Sequence, residues 1–211
     1  KLCQIIGGDL SIADSLLWNY TNRNITEEKK EYKIEALGEF YPVYDNPSVM
    51  AYLRERNVTD EFIDNFELAY INRIQINGSF WKNRVCIPIY EAGNLVNIEG
   101  RDYTKQQTKK VLYPKNSKAG VIFNFDDLDL TKPVVLVEGV MDLPGLYQVY
   151  KNVGAVFGNQ LSMQQIDDIN KIEKLIVIPD NDAGGRVLIN TIDEHYAKDF
   201  EVCSYDKLPD K

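Results

Sequence analysis

The chain has 211 residues, is 44% hydrophobic and carries a formal charge of −8, enough length to bury a core in one large or two small domains. No run approaches the roughly 18 apolar residues that a membrane helix needs, and the N-terminus lacks the basic-then-apolar order of a signal peptide. The acidic balance argues at first against a nucleic-acid partner.

In chain order, Ser11 to Tyr20 places Ile12, Leu16 and Leu17 on one helical face, and the polar Thr26–Glu31 stretch reads as an exposed turn. Asn46-Pro47 predicts a helix start, with Asn as cap and Pro needing no N–H partner; that helix runs through Met50, Leu53 and Arg56. A second helix begins at Thr59, with Asp60 and Glu61 favoured by the helix dipole in its first turn. The period then changes from 3.6 to 2. Arg84–Tyr90 and Leu95–Glu99 read as strands flanking a Glu91-Ala92-Gly93-Asn94 turn, and Lys110–Tyr113 as a further strand.

From Pro133 the pattern changes again. Val134–Val137 is an apolar strand ending at Glu138-Gly139, followed by a helix to about Tyr150 and a short strand at Ala155–Phe157. Ser162 and Gln165 form a capping box. Leu175–Ile178 is a second apolar strand, ending near Asp180; Gly184-Gly185 leads into a helix through Leu188 and Ile192, and Phe200–Tyr205 is the last strand. Near-continuous apolar strands alternating with helices predict an α/β fold, a parallel sheet covered on both faces behind an α+β N-terminal part. The expected divisions are 1–46 as a linker or helical segment, 47–125 as a subdomain with the basic hairpin, and 126–211 as the parallel-sheet subdomain.

Charge is unevenly distributed. Eight basic residues against three acidic ones between Lys82 and Lys118 give that stretch +5, which leaves −13 for the rest. The cations with the best claim to phosphate contacts are Arg84, Arg101 and Lys115, with Lys110 and Lys118 next; each alone reads equally well as a solvated surface charge. Tyr103 and Tyr113 could stack on bases or pack in the core, where Trp18 and Trp81 are placed.

In open parallel sheets ligands sit beyond the carboxyl ends of the strands, and two strands here end in acids: Glu138, and Asp180-Asn181-Asp182. Such carboxylates repel one another unless a cation lies between them. All-oxygen ligands select Mg²⁺ or Mn²⁺. Taken singly, each acid reads as a turn or cap residue; together at two strand ends they read as a metal site. Asp142 either joins that rim or favours the N-terminus of its own helix. Cys3, Cys86 and Cys203 stand far apart and His195 is the single histidine, so no zinc site is encoded, and scattered cysteines suit a reducing compartment such as the cytosol.

Glu138-Gly139-Val140-Met141-Asp142 and Asp180-Asn181-Asp182-Ala183-Gly184-Gly185 resemble the E-G-x-x-D and D-x-D-x-x-G motifs of the Toprim domain, and Gly158–Ser162 resembles the link between them in its primase branch. Upstream, Tyr52–Thr59 with Phe66–Tyr70, and Asn83–Ile89 with Gly93 and Gly100-Arg101, resemble segments of the catalytic core of DnaG-type primases, in a compact spacing closer to phage primases and helicase-primases. Asn57 stands where that family usually has Gly, and Ala183-Gly184 where it has x-Ala.

The resemblance implies template-directed synthesis of short RNA primers on single-stranded DNA from NTPs, through two Mg²⁺ or Mn²⁺ ions. Glu138, Asp180 and Asp182 would be catalytic and metal-holding, with Asp142 beside them, and a replicative helicase, fused or separate, would be a partner, in a bacterial cytosol or that of a phage-infected host. The family's zinc-ribbon module would precede Lys1; Asp210, at the start of a further acidic motif, stays doubtful. The rival readings are a Toprim nuclease using the same acids and a non-catalytic DNA- or partner-binding module.

Overall fold

The computed structural model describes residues 32–203. The predicted elements around Ser11–Tyr20 and Thr26–Glu31, Trp18, Asp210 and the end of the last predicted strand lie outside them.

The first elements form where the caps direct. Short strands β1 (Ala36–Leu37) and β2 (Tyr41–Pro42) precede helix α1, Pro47–Glu55. The Asn46 side chain accepts from the Ser48 and Val49 amides at 3.0 and 3.3 Å, satisfying donors that a helix start leaves orphaned. Helix α2 (Asp60–Asn65) is capped by Thr59, which accepts from Phe62 N at 3.2 Å. These helices bury Val49, Tyr52, Leu53, Phe62 and Ile63, each contributing on the order of 1.5–3 kcal/mol if its side chain is fully removed from water.

An antiparallel sheet follows. Strands β3 (Ala69–Ile76), β4 (Ser79–Glu91), β5 (Asn94–Asp102) and β6 (Val111–Leu112) pair in the order β1-β3-β4-β5-β6, with β2 also on β3. The expected β4–β5 turn is present, with Ala92 and Gly93 at φ 49° and 72°, the left-handed pair that a tight hairpin requires. Strand β3 and the first third of β4 are not in the sequence expectation. Asn83, at φ 49°, interrupts the alternation, so Ile71, Ile74, Trp81 and Cys86 gather in one cluster although strict period 2 would separate them. A Cβ on Gly100 would collide with the Trp81 ring, so only glycine lets that ring lie flat on β5.

Strands β7 (Pro133–Val137), β8 (Val153–Ala155), β9 (Lys174–Ile178) and β10 (Phe200–Val202) form a wholly parallel sheet in the order β10-β9-β7-β8. Val134, Leu136, Leu175 and Val177 pack with Ile169 of helix α4 (Met163–Lys171) and Leu188 and Ile192 of helix α5 (Ala183–His195). Val135, Val137, Val153 and Ala155 enter the other cluster, with Leu53 and Phe62. Both faces are thus covered, as the unbroken apolar runs require. Ser162 and Gln165 make both capping-box bonds, at 3.2 and 2.9 Å.

Two elements differ from expectation. The helix after Gly139 is a 3-10 turn at Val140–Asp142 followed by helix α3, only Leu143–Tyr147; Pro144 and Gly145 make that segment a poor helix. Strand β8 lies two residues earlier than predicted because Phe157, at φ 61°, already turns the chain. Phe62, Phe66, Tyr147 and Phe123 form a chain of tilted and edge-on aromatic contacts at centroid separations of 4.5–5.5 Å, which ties α2 to α3 and to the segment before β7. Among the described residues no helix is long and apolar enough to cross a membrane.

Candidate functional site

The acids collect at the carboxyl end of the parallel sheet. Glu138 follows β7 directly, Asp180 stands two residues beyond β9, and Asp182 caps α5. The Glu138 side chain accepts from the Asp180 amide at 2.9 Å, which joins the two loops. Asp182 accepts from Gly185 N at 3.0 Å and Asp142 from Gly139 N at 3.1 Å. The segment after β8 closes the rim: Gly158 N donates to the Glu138 carbonyl at 3.1 Å, and a Cβ on Gly184 would press the Asn159 side chain. Gly185 is obligatory for another reason, since a Cβ there would collide with the Asp180 backbone carbonyl. The turn that presents both aspartates needs a bare backbone at this point.

Burial pushes the half-buried Glu138 carboxyl above its ordinary range; the Asp180 amide opposes that, and the charges of Asp180, Asp182 and Asp142 add to it. Crowding by protein also raises Asp142, with Asp180 adding to the shift, while the Gly139 amide, Arg101 and Arg56 pull it down. Four carboxylates therefore feel one another at one rim, and Asp180 is exposed with no side-chain hydrogen bond among the described residues. As they lie, no three His, Cys, Asp or Glu side chains among the described residues are gathered tightly enough to hold an ion. Like charges spread apart, and three of the four take a backbone N–H instead. Hard oxygen donors at a concentrated negative potential, with no nitrogen or sulfur donor among them, fit Mg²⁺ or Mn²⁺.

Beside the rim lies a basic cleft of about 610 Å³ whose lining includes Tyr52, Arg56, Arg101, Lys105, Gln107 and Lys110. Arg101 is held from behind. Its Nε donates to Glu99 at 2.5 Å, and Tyr113 Oη donates to the other Glu99 oxygen at 2.6 Å. Glu99 is 1% exposed. Burial alone would lower the Arg101 guanidinium, but the Glu99 charge and hydrogen bond override it and leave the group raised. With Nε engaged, the two terminal nitrogens remain to meet an anion. The Tyr113 ring also meets Phe157 edge-on at 6.2 Å, tying the cleft's support to the rim.

Of the five cations singled out in the sequence, the cleft gathers Arg101 and Lys110. Arg84 is 3% exposed and donates to the Lys110 carbonyl at 2.9 Å. Lys118 is paired with Glu91 at 2.5 Å, and Lys115 is exposed away from the cleft, its carbonyl accepting from Asn77 at 2.7 Å. Tyr103 is partly buried against the main core cluster, and Trp81 is fully buried. Arg56 and Lys105 line the cleft but were not singled out. The signal for Arg56 was its place one helical turn after Tyr52, over whose ring its guanidinium sits at 5.0 Å.

Comparison with known proteins agrees with this architecture. Residues 135–211, which include the four acids of the rim, match the family model described as Toprim-like. The described fold is similar to those of solved primase domains. It is similar to the zinc-binding and RNA polymerase domains of the Aquifex aeolicus primase, at 21% identity and TM-score 0.64, over 80% of this chain and 51% of that one. It is similar to the DnaG catalytic core at 21% identity and TM-score 0.62, over 78% and 65%. The primase fragment of the bacteriophage T7 primase-helicase protein aligns at 16% identity and TM-score 0.51, over 72% and 62%. The chain thus spans about half the length of the Aquifex chain. A search of the curated proteins finds no match.

Proposed function

We propose that this chain is the catalytic core of a DNA primase, joining ribonucleotides on a single-stranded DNA template by metal-dependent nucleotidyl transfer. The observation that carries the reading is the juxtaposition of a carboxylate rim with a basic cleft: Tyr113, which donates to the Glu99 behind Arg101, meets Phe157 edge-on, and the next residue, Gly158, donates to the Glu138 carbonyl. A nucleoside triphosphate needs both: cations for its phosphates and a site where divalent ions meet the reacting oxygens.

Glu138, Asp180 and Asp182, with Asp142 beside them, would hold Mg²⁺ or Mn²⁺, which when bound supplies positive charge to the phosphoryl oxygens. Arg56, Arg101 and Lys110 would seat the triphosphate, with Glu99 keeping the Arg101 fork aimed into the cleft; Lys105, also at the cleft, is paired with Glu55 at 3.0 Å. Glu138 would also be the group that accepts a proton from the attacking hydroxyl. On the outer part of the β3–β4 hairpin, Arg73 pairs across strands with Lys82. Directly opposed like charges are destabilising by themselves, and Phe80, 68% exposed, lies under the Arg73 guanidinium at 5.3 Å. That surface suits a template strand, with phosphates at the cations and a base on the ring. A helicase, fused or separate, is the expected partner.

Supplying single-stranded DNA, Mg²⁺ and labelled NTPs tests the proposal. Short RNA products support it; shortened DNA would identify a Toprim nuclease, and DNA binding with neither product a non-catalytic module.

A further inference from the structure

Arg84 is the one residue among those described with a buried side-chain nitrogen or oxygen lacking any hydrogen-bond partner, its Nε. Leaving such a donor unsatisfied is unfavourable, and burying a guanidinium adds to the cost. Burial indeed lowers the Arg84 guanidinium, against the charge of Asp102, which holds it up. A methionine or leucine would fill this volume without either penalty. What the guanidinium supplies here is a hydrogen bond from one of its two terminal nitrogens.

That nitrogen, Nη1, donates to the Lys110 carbonyl at 2.9 Å, the same oxygen that accepts from Asp102 N at 2.9 Å. Arg84 and Asp102 are also opposite each other in the β4–β5 ladder. The Asp102 side chain in turn folds the segment between them: it accepts from Thr104 N, Thr104 Oγ1 and Gln107 N at 2.9, 2.6 and 2.7 Å. This loop brings Lys105, Gln107 and Lys110 to the cleft. Asp102 grips its start and Arg84 its end.

We infer that Arg84 is a positioning residue for nucleotide capture, acting from beneath the cleft by fixing the backbone of Lys110. The inference rests on the reading that the cleft takes the phosphates of an NTP. It separates Arg84 from Arg101: both are arginines of the basic stretch, but Arg101 faces the ligand and Arg84 holds the loop that does.

The test is a double-mutant cycle on the whole chain, with Mg²⁺-ATP binding measured by calorimetry and KM and kcat for NTP measured in primer extension. Arg84→Met is expected to weaken ATP binding about tenfold and to raise KM more than it lowers kcat. The amides of residues 103–110 should exchange faster while those of β7 and β9 keep their protection. Lys110→Gln should cost a similar factor, and the double variant about tenfold rather than a hundredfold, because Arg84 acts through Lys110. Arg84→Lys should restore part of the binding. Additive losses, or weakened binding with an unchanged loop, would overturn the assignment. So would uniform loss of protection, which marks Arg84 as a stability residue only. If the parent chain binds ATP and shows the coupling but makes no RNA, the positioning role stands and the primase reading fails.

Discussion

Replacing Glu99 by alanine should destabilise the protein by about 3–5 kcal/mol, the usual cost of removing one partner of a buried ion pair. The magnitude follows from what is left behind. Glu99 is 1% exposed, and the Arg101 side chain retains 20% of its surface. Without Glu99 its guanidinium keeps a partial route to water through the cleft, so the lower end, near 3 kcal/mol, is expected. Tyr113 loses its acceptor as well, but its ring is 43% exposed and its hydroxyl can turn to solvent. At roughly 2–4 °C per kcal/mol for a chain of this size, the melting temperature should fall by about 6–12 °C. Tyr113→Phe, which removes one hydrogen bond to a charged group, should cost about 1.5–3 kcal/mol at most. Glu99→Gln should lie between the parent and the alanine variant. Thermal denaturation followed by circular dichroism reads all three. A Glu99→Ala protein melting within about 2 °C of the parent would refute the reasoning, since it would mean that Arg101 pays nothing for losing its counter-charge.

Gly185→Ala should disrupt the Asp180–Asp182 turn and abolish Mn²⁺ binding, whereas Gly184→Ala, which meets mainly the mobile end of the Asn159 side chain, should retain it; electron paramagnetic resonance of added Mn²⁺ distinguishes them. Cys86 is buried and its thiol is pushed up to about 12 by burial, so it should resist alkylation at pH 8 in the native protein and react only on unfolding, while the exposed Cys203 is modified at once; peptide mapping after iodoacetamide checks this. Lys82→Gln, on the surface assigned to the template, should weaken single-strand binding and reduce the slope of log K against log salt by roughly 0.7. Lys118→Gln should leave that slope unchanged, because Lys118 is already paired with Glu91.

The parallel sheet was legible because Val134–Val137 and Leu175–Ile178 are buried on both faces, and a doubly buried strand has no polar gaps to confuse the period. The caps at Asn46, Thr59 and Ser162 were legible because capping is local chemistry. Strand β3 was not: Ala69–Ile76 has its polar residues Asn72 and Arg73 side by side where the alternation breaks, and only the pairing with β4 gives that break a meaning. The rim could be read as far as which acids stand at the strand ends, but not that three of them would turn to backbone amides. Among the cations, charge alone could not tell the buried Arg84 or the paired Lys118 from Lys110. The cleft is assembled from the end of α1 and from the end of β5 with the loop that follows it, and two segments so far apart in sequence converge only through the folded sheet.

The most direct measurement is RNA synthesis by the Asp180→Ala and Asp182→Asn variants beside the parent, on single-stranded DNA with Mg²⁺ and labelled NTPs. Asp180 makes no side-chain hydrogen bond among the described residues, and asparagine can keep the α5 cap that Asp182 provides. Both variants should therefore fold with a metal-free melting temperature within a few degrees of the parent; Asp180→Ala also relieves repulsion at the rim. The account predicts short RNA from the parent and at least a hundredfold less from either variant. Undiminished primer synthesis by Asp180→Ala, in a protein that melts as the parent does, would contradict it.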